Sequence, residues 1–380
     1  AGFSMSTKER DVTLERVGIN TTSTGVAAMD MTADVEELVN DAAFNDGYLI
    51  ISNRTTATDS YGATDDITAL YGSLKFDFAD FQVLAGARYE DSSQSLSYPY
   101  SGSGDNTLDS TEVLPALNVN WFINEDYQLR FAASNTLSRP GITERSDSVQ
   151  YDPETDDAVY GNPDLVISKI SNLDIRLEYY MEEDENITLA LFTKAITDPI
   201  ERTVQDGSGS SSEGVTFENQ DSADLMGLEL DFRVNVIDTA NWTGFVAGNF
   251  SYIDAEVTLS EDTAKLEGVN SRKLQGQSEN LSNLQIGFDH EDTGQSVTLL
   301  LNHFSERIYA AGRGEGQDAV VEDGRMSVDL AYNFEMNDEL SMKAKIGNIT
   351  DAKVSYSQGG QEIESYQEGI DISAGVSYQF

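Results

Sequence analysis

The sequence predicts an all-β fold, a transmembrane antiparallel up-and-down β-barrel, and three observations predict it. Apolar residues recur at every second position in many stretches, short polar turns alternate with long polar loops, and aromatic residues gather where the stretches end. Successive side chains on a strand face opposite ways, so period-two alternation separates an apolar face from a polar one. The polar positions here include mid-strand Arg, Asp and Glu, which would ruin the inner face of a β-sandwich. They suit a barrel with lipid outside and a wet lumen.

Taken in order, the chain opens in a strand-like pattern, Gly2-Phe3-Ser4-Met5-Ser6. The first long loop, about 10–60, carries Val35, Leu38, Val39, Ala42 and Ala43 at helical spacing, which predicts a short amphipathic helix over 33–45. Short polar turns follow near Asp80, at Asn124-Glu125-Asp126, at Glu182–Glu185, near Asp238-Thr239-Ala240, at Glu291–Gly294 and at Asn337-Asp338. Long polar stretches lie between them, at 91–109, 139–168, 204–222, 258–276, 309–324 and 349–365. The strands so bounded alternate cleanly. Leu173, Ile175, Leu177 and Tyr179 oppose Asp174, Arg176 and Glu178, and Leu228, Leu230, Phe232 and Val234 oppose Glu229, Asp231, Arg233 and Asn235. Met326, Val328, Leu330, Tyr332 and Phe334 repeat the pattern, and Ile370, Ile372, Ala374, Val376, Tyr378 and Phe380 close it. The count is about 14 strands, an even number that puts both ends on the short-turn rim. The chain has 17 Tyr and 16 Phe against two Trp. Rings such as Trp121-Phe122, Tyr127 and Tyr179-Tyr180 at strand ends read as interfacial girdles.

Composition narrows the function. The mean hydropathy is -0.38, and no apolar run approaches the roughly 18 residues of a membrane-spanning helix. Its 67 acidic and 23 basic residues leave a formal charge of -44, which excludes nucleic acid as a partner, since phosphate contacts need clustered Lys and Arg. The acids are scattered, so they read as the acidic surface of a protein from a saline habitat before they read as cation-collecting loops. Cysteine is absent, which removes disulfides and thiolate chemistry. No signal peptide is visible at Ala1, so an exported chain is expected to have lost its N-terminal part.

No catalytic, cofactor or metal site is predicted. His290 and His303 fall at opposite ends of a hairpin, and no G-x-S-x-G elbow occurs. Gly312-Arg313-Gly314-Glu315-Gly316 reads as a loop tip without a following helix. The acids Asp147, Asp152, Glu154, Asp156 and Asp157 miss EF-hand spacing and read as a solvated loop, as do Asp105, Asp109, Glu261 and Asp262.

Several segments resemble a known family. Val376, Tyr378 and Phe380 at the C-terminus resemble the signal read by the outer-membrane barrel assembly machinery. Leu137-Ser138-Arg139-Pro140 with Glu144, then Tyr160-Gly161-Asn162-Pro163-Asp164-Leu165 running into Asn172-Leu173-Asp174 and Glu178-Tyr179-Tyr180, resemble the C-terminal half of TonB-dependent receptors. Gly227-Leu228-Glu229-Leu230, Leu274–Ser278 and Ile346-Gly347-Asn348-Ile349-Thr350-Asp351 continue the resemblance in order, nearest to the branch found in aquatic and plant-associated bacteria. The resemblance implies that residues 1–380 are the C-terminal part of a barrel of about 22 strands, with the first strands, the plug and the TonB box outside this sequence. It implies an outer-membrane receptor of a Gram-negative bacterium, a monomer partnered by the TonB complex, by outer-membrane lipid and by the assembly machinery. Its expected ligand is a scarce small-molecule nutrient, an oligosaccharide or a ferric siderophore. Tyr98, Tyr100, Tyr151 and Tyr309 are the loop candidates for it, as rings able to stack on sugars, with packing inside the loops as their first reading. A passive porin-like channel and a secreted β-rich adhesin are the alternatives.

Overall fold

The computed structural model describes residues 1–100, 106–153, 157–182, 184–205, 214–314 and 316–379. Fourteen strands build the wall: β1 (Gly2–Val12), β2 (Tyr61–Phe78), β3 (Phe81–Ser97), β4 (Asn106–Phe122), β5 (Tyr127–Ser138), β6 (Ser168–Tyr180) and β7 (Asn186–Thr197) come first. Then come β8 (Ser222–Asp238), β9 (Trp242–Thr258), β10 (Asn280–His290), β11 (Gln295–Phe304), β12 (Arg325–Glu335), β13 (Leu340–Gly347) and β14 (Asp371–Tyr378). Each pairs with the next in chain order, every pair antiparallel, and β1 and β14 are the edges of an open sheet. The six short turns stand where the sequence places them, and the long loops all leave the opposite rim.

Register makes the two faces continuous. Phe131, Ile175, Leu191, Leu228 and Tyr252 are direct cross-strand neighbours over five strands. The row beside them is Asn120, Arg130, Arg176, Ala190, Glu229 and Ser251. Leu74, Phe76, Leu191 and Ile372 leave more than half of their surface bare on the apolar face. That much exposed aliphatic surface is the mark of a lipid-facing band. A one-residue slip would turn every leucine inward, so the band itself pins the register. Rings cluster at the short-turn rim: Phe81 stacks on Trp121 at 5.6 Å and Tyr127 on Tyr179 at 4.4 Å.

Two expectations need correction. The polar stretch at 91–109 is mostly strand, because β3 runs to Ser97 and β4 begins at Asn106. There one face is still buried, at Glu90, Ser92, Gln94 and Leu96, but three of those four positions are polar, so hydrophobic alternation does not mark the strand. The single helix over 33–45 is two short ones, Val35–Leu38 and Asp41–Asn45, preceded by another at Ser23–Ala28. Asn40 causes the break, because its side chain accepts the Ala43 N–H at 2.9 Å and starts a new helix.

The long loops carry sheets of their own. Hairpins from the β5–β6 and β7–β8 loops join into a four-stranded sheet, in the order Ile200–Gln205, Gly214–Asn219, Asp157–Val159, Gln150–Asp152. A second combines Arg307–Ala310, Val320–Glu322, Lys353–Gln358 and Gln361–Gln367. Val17–Thr21 pairs with Leu49–Asn53 in the first loop.

Candidate functional site

The polar face of the wall is laced by ion pairs. Glu90 accepts from Arg88 at 2.5 Å and from Arg139 at 2.7 Å. Glu178 accepts from Arg130 at 3.0 Å and Arg176 at 3.1 Å, which offsets the repulsion between two arginines that the register sets directly opposite one another. Further round, the Asn283 amide donates to Asn249 at 2.9 Å, and Asn302 donates to Asn283. This face is polar and tied across its strands by ion pairs and amide hydrogen bonds.

Above it, two of the segments singled out in the sequence fold onto each other. Arg145 is buried and fans its guanidinium to the Gln94 side chain at 3.0 Å, to the Pro163 carbonyl at 3.3 Å and to Asn106. Burial holds the Arg145 pKa below its usual value. Glu144 accepts from the Gly141 N–H at 2.7 Å and starts the one-turn helix that presents Arg145. Asn162 N–H donates to the Glu144 carbonyl at 2.6 Å, and its side-chain amide donates to the Phe217 carbonyl at 2.9 Å. Gly161 lies so close to the Ser146 carbonyl that any Cβ would collide with it. The Tyr160–Leu165 stretch is thereby a hub joining three loops. Asn348 and Asp351 tie together the two ends of a single loop near the C-terminus. Both adopt positive φ, Asn348 donates to the Gly369 carbonyl at 2.9 Å, and Asp351 accepts the Gly369 N–H at 3.1 Å.

Between the two loop sheets lies a cavity of about 450 Å³ lined by Tyr309, Tyr356, Tyr366, Ile363 and Pro153, with Asp157 and Glu364 as its charged members. The Tyr309 and Tyr356 rings meet at 4.7 Å between centroids, tilted by 55°. Burial and the nearby Glu322 carboxylate push the Tyr356 phenol up to about 12. A second cavity of about 290 Å³ shares Tyr309 and Asp157 and reaches Arg202, Thr203 and Gln275. Its floor is anchored by four buried side chains: Arg272 donates to Glu201 at 2.7 Å and to Glu267 at 2.8 Å, and Thr203 donates to Glu267 at 3.2 Å. Burial works against the Arg272 charge, yet the two carboxylates hold its pKa above the ordinary value. Burial pushes Glu201 up despite the guanidinium beside it. A wider hollow of about 750 Å³ opens at the opposite, short-turn rim among Asp292, Glu335 and Gln379, beside the β14 edge.

The four tyrosines picked from the sequence part company here. Tyr309 lines both loop cavities. Tyr98 is buried against Tyr61, its hydroxyl accepting the Asp147 N–H at 2.8 Å, and so props a loop. Tyr100 is 77% exposed and Tyr151 60%, both away from the cavity lining. Tyr356 and Tyr366 were missed by sequence reasoning. Their signal was present: Gly359-Gly360, flanked by alternating residues, is a hairpin turn, and both glycines take positive φ.

His290 meets Trp242 edge-on at 4.4 Å, while His303 sits far along the hairpin opposite Ser282. Asp152 holds Arg202 at 3.0 Å, and Asp157 lies 4.0 Å from it. Among the described residues no group of three His, Cys, Asp or Glu is placed to hold a metal ion. Asp105, Glu154, Asp156, Glu315 and Phe380 lie outside the described residues.

The chain matches the family described as TonB dependent receptor-like, beta-barrel, over residues 7–349. No curated protein matches it. Among solved structures it is similar to the siderophore receptor PiuA from Acinetobacter baumannii, with 12% identity, TM-score 0.65, and coverage of 99% of this chain and 52% of that one. It is also similar to the ferric yersiniabactin uptake receptor FyuA from Yersinia pestis (15% identity, TM-score 0.58, coverage 84% and 46%). The ferric-catecholate import receptor Fiu from E. coli K12 is a third (15%, TM-score 0.61, coverage 86% and 46%). The chain therefore spans about half the length of these structures. No helix among the described residues is long and apolar enough to cross a membrane, and the apolar band is carried by strands. Its match to the family over most of its length and its alternating, lipid-banded wall make this chain a member of the TonB-dependent receptor family, a β-barrel protein of the outer membrane.

Proposed function

We propose that the chain supplies the wall and the ligand-collecting loops of a receptor that actively takes up a scarce carbohydrate across the outer membrane. The observation that carries this reading is the tyrosine cavity, whose rings offer flat apolar faces and whose charged lining groups are carboxylates. Sugar rings stack on such faces through their C–H surfaces. A ferric siderophore, the ligand class named for several structural neighbours, is commonly anionic and would meet Asp157 and Glu364 head on. On this reading the plug and the remaining strands come from chain N-terminal to Ala1, and TonB acts through that part. The cell's barrel assembly machinery reads Val376 and Tyr378 on the apolar face of β14, together with Phe380.

Calorimetry on the intact protein in detergent tests the ligand class. Neutral oligosaccharides should bind, and Tyr366→Ala should weaken them about tenfold, the equivalent of roughly 1.4 kcal/mol. Binding of a ferric siderophore with no oligosaccharide binding would overturn the carbohydrate reading. Collapse of the proton gradient separates active uptake from a passive pore. Uptake by cells should stop, whereas continued uptake and free ion conduction in a planar bilayer would favour the pore.

A further inference from the structure

This inference rests on the carbohydrate reading and narrows its substrate class. The bases nearest the cavity are already engaged: Arg307 donates to Glu322 at 2.7 Å, Lys353 to Glu362 at 2.6 Å, and Arg202 gives its closer contact, 3.0 Å, to Asp152. Among the described residues the charged groups on the lining are Asp157, which shares Arg202 with Asp152 at the longer distance of 4.0 Å, and the exposed Glu364. They come from two different loops, with Tyr309, Tyr356 and Tyr366 around the same space. Hydroxyl groups alone make poor use of such a site, because a neutral donor offsets neither the Glu364 charge nor the surplus of Asp152 and Asp157 over the one Arg202 they share. An ammonium gains twice: it donates charge-assisted hydrogen bonds to carboxylate oxygens, and it is attracted to the negative face of a tyrosine ring. The chain's charge of -44 would also raise the local concentration of any cationic ligand.

We propose that the saccharide recognised here carries a protonated amine, held by Asp157 and Glu364 while its ring lies on the tyrosines. The binding is non-covalent, and no bond is made or broken.

The test compares three probes by calorimetry on the intact protein: a short β-1,4 oligomer of glucosamine, its fully N-acetylated counterpart, and a maltose oligomer of equal length. Measurements at about pH 5 keep the amino-sugar amines protonated, and about 0.15 M salt screens general attraction to the acidic surface. The amine form should bind at least about tenfold tighter than the acetylated form, a difference of one factor of ten in Kd. Asp157→Asn with Glu364→Gln should erase that preference, so that the amine and acetylated forms bind the variant with equal affinity. The double variant removes two of the chain's 67 carboxylates, so loss of preference reports the site and not the overall charge. Unchanged circular dichroism would show the variant folded, and Glu364→Gln alone, on an exposed residue, provides a milder second variant expected to reduce the preference in part. Equal binding of the amine and acetylated forms overturns the amine assignment and leaves the carbohydrate reading standing. Binding by none of the three overturns both. An amine preference that survives in the folded double variant overturns the site.

Discussion

Tyr356 lies where burial and the Glu322 charge both oppose ionisation, so its phenol is pushed up to about 12. The folded state then favours the neutral form. The stability this contributes is fully present below the unfolded value near 10 and is lost as the pH rises from about 10 to about 12. An ultraviolet phenolate titration should show a late-ionising tyrosine that disappears in Tyr356→Phe; a titration unchanged by that substitution would place the late group elsewhere. Arg272 is a different case. Removing it strands Glu201 and Glu267 as buried, uncompensated carboxylates, so Arg272→Ala should cost the local loops about 3–5 kcal/mol. Limited proteolysis within 259–279 reads that loss, and cleavage no faster than in the parent would refute it. Arg272→Lys should rescue little, because one ammonium cannot reproduce the forked contact.

Each element is set by where its polar atoms find partners. The family stretch 160–165 is held by the close approach of Gly161 to the Ser146 carbonyl and by the Asn162 bonds to Glu144 and Phe217. Gly161→Ala should force that backbone apart and detach the stretch from the Arg145 helix. Faster amide hydrogen exchange confined to 141–165 and 214–219 is the expected result, while exchange spread along β5 and β6 would mean the wall itself had suffered. The motif was legible in the sequence, but its reason was not, because Ser146 and Phe217 approach it only through the fold. The helical stretch at 33–45 was legible only in part. Its apolar spacing was visible, but Asn40 competes with the helix through its own side chain. The loop sheets were missed because their strands are short, and one of them pairs in parallel with a strand from another loop.

Across the whole molecule, the alternating wall makes neighbouring residues answer to different solvents. Leu189 lies in the apolar row with Leu177 and Leu230, and Ala190 in the polar row with Arg176 and Glu229. Leu189→Lys should therefore lower the yield of assembled barrel, at a cost below the roughly 2–4 kcal/mol of a mid-plane lysine because Leu189 lies two residues from the aromatic rim at the Tyr179–Ile187 pair. Ala190→Lys, one position away, should assemble at close to the parental level. Equal yields would mean that the two faces are misassigned. The alternation, the turn positions, the strand count and the absence of a spanning helix were all written locally, since strand periodicity and turn chemistry act over a few residues. Tyr309 was picked out among the loop aromatics on the same local grounds. What tertiary structure alone decided was which loop residues share a space. Asp157, Tyr309, Tyr356 and Glu364 belong to three loops, and only the lateral order of the wall strands brings those loops together above one rim. Tyr98, equally aromatic in the sequence, was turned inward because Tyr61 and the Asp147 N–H offered its ring and hydroxyl partners that no local pattern announces.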